Sequence, residues 1–282
     1  MLIKVNHFTS YLYSQPVELG IHSFYLHPQY RPYYRIDNQS MKVFPDPSGS
    51  NFREDLLGNW YQQVWFQGKV SKLEIYSEWE FKLSPFNPFS FIVEGAFEEK
   101  FFEGNRKLYL GESDFLRPFL DSELTEAIEF LGSVKTKSSG LIDFLTKLTG
   151  LIHLEWSHII RHEQNIWSPK DTFFKKEGSC RDLAFMQMAM LRSVGLATRF
   201  ASGYSFNPDV EDGHELHAWL EVFLPGAGWV GLDPSLGLFT DNGYIPLALH
   251  FDPLATSPVQ GVFYGNAQSK LEANVSIKII SG

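Results

Sequence analysis

The sequence predicts a chain whose strands and helices are segregated, an α+β arrangement in which a small all-β domain is followed by helices and then by strands again. Three observations point to it. Up to about residue 83 apolar residues alternate with a period of two, residues 122–194 repeat them three and four apart, and two prolines interrupt the chain between these regimes.

From Ile3 the alternation places Ile3, Val5, His7, Thr9, Tyr11 and Tyr13 on one face, interrupted by Phe8 and Leu12. From Leu73 to Leu83 it is cleanest, with Leu73, Ile75, Ser77, Trp79, Phe81 and Leu83 opposite Glu74, Tyr76, Glu78, Glu80 and Lys82. Shorter β-like runs, Met41–Phe44 and Val64–Val70, lie between, bounded by the turn compositions Pro45–Ser50 and Leu57–Asn59. Pro85 and Pro88 within Ser84–Ser90 can continue neither ladder nor helix. This gives a domain of residues 1–84, a linker at about 84–90 and a second domain of residues 91–282. In the latter, Ser122–Leu131 and Leu141–Glu155 carry helical spacing, with Ser139 as N-cap of the second helix. A more apolar helix, Cys180–Val194, is closed by Gly195. Strands are expected at His217–Phe223, Trp229–Asp233, Gly261–Tyr264 and Asn274–Ile280.

The chain has 282 residues, 44% hydrophobic and 20% charged, with a formal net charge of −9. It is large enough for a sizeable core, and its acidity argues against nucleic-acid and anionic-membrane partners. Aromatic residues make up 16% of the chain, and Trp60, Trp65, Phe86 and Phe89 are expected to fill cores. The N-terminal residues lack the apolar run of a signal peptide, and no stretch approaches the roughly 20 apolar residues that span a bilayer. The expected location is the cytoplasm.

Cys180 is the only cysteine, which excludes an intrachain disulfide and any multi-cysteine metal site. It stands at the opening of the apolar helix, with Ser179 as N-cap and Asp182 as its capping-box partner. Unpaired N–H groups and the helix dipole favour a thiolate there, and the same N–H groups could hold an oxyanion. The alternative is a small buried apolar side chain. A reactive thiolate needs a base held by a third group, and His217 and Asp233 sit on adjacent strands. A Leu224-Pro225-Gly226 loop would set His217 opposite Asp233 with both side chains on one face. A four-residue loop, Pro225–Gly228, would send the carboxylate to the other face.

Metal readings fail on spacing. His214 and His217 are three apart on a loop leading into a strand, and His158 and His162 enclose Arg161 but no glutamate. The acidic stretch Asn207, Asp209, Glu211, Asp212 meets Gly213 one position late for a calcium loop and ends at Ala218 instead of a glutamate.

Four ordered blocks, Gly178–Asp182, Leu191–Tyr204, His217–Val222 and Gly228–Pro234, together resemble the bacterial transglutaminase-like superfamily of papain-type cysteine enzymes. His7, Thr9, Tyr11, Tyr13, Pro16, Val17, Asp55, Gly58 and Asn59 are similar to the β-rich domain that precedes the catalytic core in many bacterial members. The resemblance implies an α+β core in which the cysteine helix packs on an antiparallel sheet. It implies Cys180 as nucleophile, His217 as base and later acid, and Asp233 as the orienting carboxylate, with no metal or organic cofactor. It departs from the family at Ala197-Thr198-Arg199, where many relatives have Pro-Ala-Arg, and at Leu249–Pro253 in place of a Gly-Arg-Asp-Tyr-like segment. Trp156, Gln164 and Trp167 are candidates for the second oxyanion donor. The expected activity is cysteine-dependent acyl transfer on a peptide or protein amide, by hydrolysis. Cross-linking of glutamine to an amine, or a binding module without catalysis, are the alternatives.

Overall fold

A computed structural model describes residues 1–104, 109, 125–161, 163, 165–207 and 216–281. The first domain opens with β1 (Leu2–Phe24), β2 (Tyr34–Phe44), β3 (Gly49–Glu54), β4 (Trp60–Trp65) and β5 (Lys69–Leu83). Then come α1 (Gly95–Phe102), α2 (Thr125–Thr136) and α3 (Leu141–Glu155), the short strand β6 (Ser157–His158), α4 (Pro169–Lys175), β7 (Glu177–Gly178) and α5 (Cys180–Ser193). The chain ends with β8 (Thr198–Ser205), β9 (Leu216–Leu224), β10 (Gly228–Asp233), β11 (Leu238–Phe239), β12 (Tyr244–His250), β13 (Val259–Tyr264) and β14 (Ser269–Ser281).

β1 is far longer than its clean alternation suggested, because it continues past a register shift between Leu12 and Val17. Its first half lies between β5 and β14, and its second half pairs with β4 and β13. The domain of 91–282 expected from the sequence includes residues 259–281. They instead complete the first sheet: Ile3 pairs with Ile279, and Phe24 with Val259. Three other expectations change. β3 begins within the last two residues of the expected Pro45–Ser50 turn, Ser139 lies one residue before the actual N-cap Gly140, and α1 and α4 carried too few periodic residues to be seen. Of the expected helix at 122–131, residues 122–124 lie outside the described residues.

The second sheet runs β11-β10-β9-β8-β12, antiparallel throughout among the described residues. On one face Ala218, Leu220 and Val222 pack with Leu183, Met186 and Met190 of α5 and with α3. On the other, Tyr204, Phe206, Ile245 and Leu247 join Ile3, Val5, Phe24, Leu73 and Phe81 in one apolar cluster. The two sheets therefore share a core. His7 sits inside it, bonded to Thr9 and to the Tyr204 hydroxyl, and burial holds it down to about pKa 4, so it is a neutral core histidine.

The outer edge of β12 is satisfied by the first domain: Gln29 donates to the Pro246 and Leu247 carbonyls, and Asn59 exchanges two hydrogen bonds of 2.8 Å with the backbone of Leu249. Trp60, Trp65, Phe86 and Phe89 do not fill cores but remain exposed. Phe86 lies against Tyr33, and Phe89 lies against Phe239.

Candidate active site

α5 begins where the sequence placed its cap. Ser179 is extended (φ −73°, ψ 171°), and its N–H and hydroxyl donate to Asp182 Oδ2 at 2.8 and 2.7 Å. Asp182 is also a clamp. Fully buried, it accepts from Arg161 Nη1 at 2.8 Å and from the Trp167 amide at 2.7 Å, which ties the segment before the cysteine to the helix. Burial pushes its carboxyl up, but the bonds from Ser179, Trp167 and Arg161 outweigh this and hold it below the usual carboxylate range. Gly178 is required for that approach, since a Cβ there would lie 2.8 Å from the Asp182 Cβ. Cys180, half-buried, is thus delivered at the first helical position.

The β9–β10 hairpin supplies the other two side chains, in a register two positions from the one expected. Its turn is Pro225-Gly226-Ala227, closed by the Ala227 amide on the Leu224 carbonyl at 2.9 Å. Pro225 and Gly226, with φ +91°, take the second and third positions of a type II turn, and Gly228 at φ +79° returns the chain to the ladder. Asp233 consequently falls two positions beyond Gly231, the partner of Glu221, and so lies diagonal to His217. A shift of two preserves the face, whereas a shift of one would have inverted it. The two side chains meet, with His217 Nε2 donating to Asp233 Oδ2 at 2.6 Å.

Asp233 is fully buried and surrounded by donors: Ser235 N–H and Oγ–H at 2.9 and 2.6 Å and the Leu236 amide at 3.2 Å on Oδ1, and the Tyr244 hydroxyl at 2.7 Å beside His217 on Oδ2. Burial alone would raise its pKa, but the charge and hydrogen bond of His217, with those of Ser235 and Tyr244, lower it. Burial disfavours the imidazolium of His217 too. Asp233 and then Cys180 outweigh it, so the His217 pKa lies well above its ordinary value. Because Nε2 is spent on Asp233, Nδ1 is the nitrogen left for the thiol. Burial pushes the Cys180 thiol up, yet hydrogen bonds from His158 and His217, the charge of His217 and the Ala218 amide bring it down to about 6. Both shifts run the same way, favouring a thiolate beside an imidazolium.

Tyr244 and Ser235 gave no sequence signal, since neither belongs to a periodic pattern or motif. Tyr244→Phe should cost about 2 kcal/mol of stability, the usual worth of a hydrogen bond to a buried charge, read as a lower urea midpoint. An unchanged midpoint would mean that the bond contributes nothing.

The sequence spacing pairs His158 only with His162, as a metal pair; the structure sets it against Cys180 instead. Of the oxyanion candidates, Trp156 is buried and its indole N–H is spent on the Thr172 carbonyl at 3.1 Å. Trp167 lies between Arg161 and Lys175, with the two cations 4.1 and 3.5 Å from its ring. Gln164, His162, His214 and residues 208–213 of the acidic stretch lie outside the described residues. Among the described residues no group of three or more His, Cys, Asp or Glu side chains is placed to hold a metal ion.

The sequence profile of the transglutaminase-like superfamily matches residues 134–234, and that of the bacterial transglutaminase-like N-terminal region matches residues 3–81. The chain belongs to the transglutaminase-like superfamily. An uncharacterised protein of Mycobacterium tuberculosis is 24% identical over 292 residues, covering 98% of this chain and 92% of that one. One of Mycobacterium leprae is 28% identical over 113 residues, 38% of this chain and 39% of its own. A solved structure of a candidate cysteine protease from Cytophaga hutchinsonii superimposes with a TM-score of 0.71 at 17% identity, covering 100% of this chain and 91% of that one. The transglutaminase-like fold is therefore shared along the whole length, β-rich domain included. In this chain it carries a Cys–His–Asp arrangement suited to cysteine-dependent acyl transfer. No helix among the described residues is long and apolar enough to cross a membrane.

Proposed function

We propose that this protein hydrolyses an amide bond of a peptide or protein through a thioester on Cys180. The observation that carries the reading is the 2.6 Å bond from His217 Nε2 to Asp233, which leaves Nδ1 for a thiol already lowered to about 6. The Cys180 thiolate attacks the carbonyl carbon. His217, holding the proton at Nδ1, gives it to the departing nitrogen, and then takes one from the water that hydrolyses the thioester. Asp233 keeps the imidazole in the tautomer this exchange requires and stabilises its charged form. Hydrolysis is favoured over transfer to an amine because water needs no acceptor site and Cys180 is only half-buried.

The test is the rate of iodoacetamide alkylation against pH. With a single cysteine, every adduct reports on Cys180. The rate should rise through pH 6, and in His217→Ala the inflection should move up toward the ordinary thiol value of about 8.5. A thiol that titrates near the ordinary value and ignores His217 would overturn the proposal. With a glutamine-containing peptide and an added primary amine, ammonia release without incorporation supports hydrolysis. Incorporation faster than deamidation would make the protein a cross-linking enzyme.

A further inference from the structure

Acyl transfer at Cys180 places negative charge on the substrate's carbonyl oxygen, which needs two donors fixed in advance. The Cys180 amide is one, since the first residue of a helix has no carbonyl one turn earlier to bond. The second must come from a side chain beside the sulfur that no other partner has claimed.

His158 meets that description. β6 runs parallel to β7 with His158 opposite Gly178, two residues before the cysteine. The pairing is fixed by the Ser157 amide on the Lys176 carbonyl at 2.8 Å and by the Ile159 amide on the Gly178 carbonyl at 3.0 Å. The imidazole so placed is one of the groups that hydrogen-bond to the Cys180 thiol, and the residue is exposed. The sulfur therefore touches two histidines from different elements, and they are not equivalent. His217 is held by a buried carboxylate, as a base must be, whereas no carboxylate among the described residues bonds to His158. A histidine beside the nucleophile that no carboxylate orients is placed to donate an N–H, not to serve as the general base.

We infer that His158 supplies the side-chain hydrogen bond of the oxyanion hole. The inference rests on the acyl-transfer reading above. As the sulfur lone pair forms the C–S bond, the carbonyl π pair moves onto oxygen, and His158 and the Cys180 amide donate hydrogen bonds to that oxygen without giving up their protons. When the pair returns, C=O re-forms, the bond to the leaving group breaks, and the leaving group takes the proton of His217.

Two reagents separate this role from an effect on the thiol. Iodoacetamide is attacked at a saturated carbon and forms no oxyanion, while p-nitrophenyl acetate acylates the same sulfur through one. The ratio of acylation to alkylation rates thus cancels any change in thiolate content. It should fall about 10²-fold in His158→Ala, the usual loss for one oxyanion donor, and recover in His158→Gln, which keeps an N–H without a titrating ring. A ratio unchanged in His158→Ala, or equally low in both variants while the wild type acylates, would overturn the assignment and leave the acyl-transfer reading standing. A wild type that is alkylated but never acylated at Cys180 would overturn both.

Discussion

Asp233→Asn should slow acylation of Cys180 by an activated ester by about 10³- to 10⁴-fold, as loss of the orienting carboxylate does in hydrolytic triads. An asparagine can serve a histidine in this position only if its carbonyl oxygen faces the imidazole. Here the surroundings forbid it. Oδ1 accepts from the backbone amides of Ser235 and Leu236, donors that cannot reverse, whereas the Oδ2 side faces a rotatable hydroxyl, that of Tyr244, and an imidazole that can exchange tautomers. The asparagine oxygen must therefore take the Oδ1 place, and its NH₂ must point at His217. His217 would then accept at Nε2 and carry its proton on Nδ1, toward the sulfur, in a neutral ring. That tautomer cannot take a proton from the thiol. The thiol should lose the counter-charge of His217, so the alkylation inflection should rise above 6 in the same variant. Acylation within tenfold of the wild type would show that the carboxylate does not set the tautomer.

What was legible in the sequence follows from how local each signal is. α3 and α5 were readable because 3.6-residue periodicity and a capping box are written within one segment, and the α+β class followed from them. The pairing of β13 and β14 with β1 was not readable, because it joins residues more than 200 positions apart and no local pattern says which edge a strand will complete. The placing of Cys180 at a helix start and of His217 beside Asp233 was legible because a helix cap and a hairpin each constrain one neighbour. The hairpin register was missed by two because Pro-Gly takes the middle of a type II turn, one position later than the assumed loop. His158 and Tyr244 reach the site from elements whose placement only the tertiary structure provides, as does Arg31 the carboxylate of Glu221.

Arg31 shows how far that dependence extends, because Glu221→Gln should lower stability by about 3–5 kcal/mol although it lies outside the triad. Glu221 follows His217 on the same face of β9 and is buried between Arg31 Nη2 at 2.6 Å and Arg199 Nε at 2.7 Å. The two arginine side chains are themselves only 18% and 15% exposed, so a neutral glutamine would leave two shielded cations facing each other. Burial pushes the Glu221 carboxyl up, but the charges of Arg31 and Arg199 outweigh it and hold it at about 2. With the folded value below the unfolded one, the stabilisation is complete above the ordinary glutamate range and is lost as pH falls toward 2. The cluster also binds the domains together. Arg31 belongs to the segment after β1, in which Tyr33 donates to the Tyr244 carbonyl at 3.0 Å and Gln29 caps the edge of β12. Tyr244 in turn donates to Asp233, so a loosened segment should disturb the carboxylate that orients His217. Urea unfolding of Glu221→Gln at pH 7 should show the loss, and at pH 2 the variant and wild type should converge. A midpoint within about 1 kcal/mol of the wild type at pH 7, the range of exposed ion pairs, would show that water shields the two arginines and that the cluster does not bind the domains.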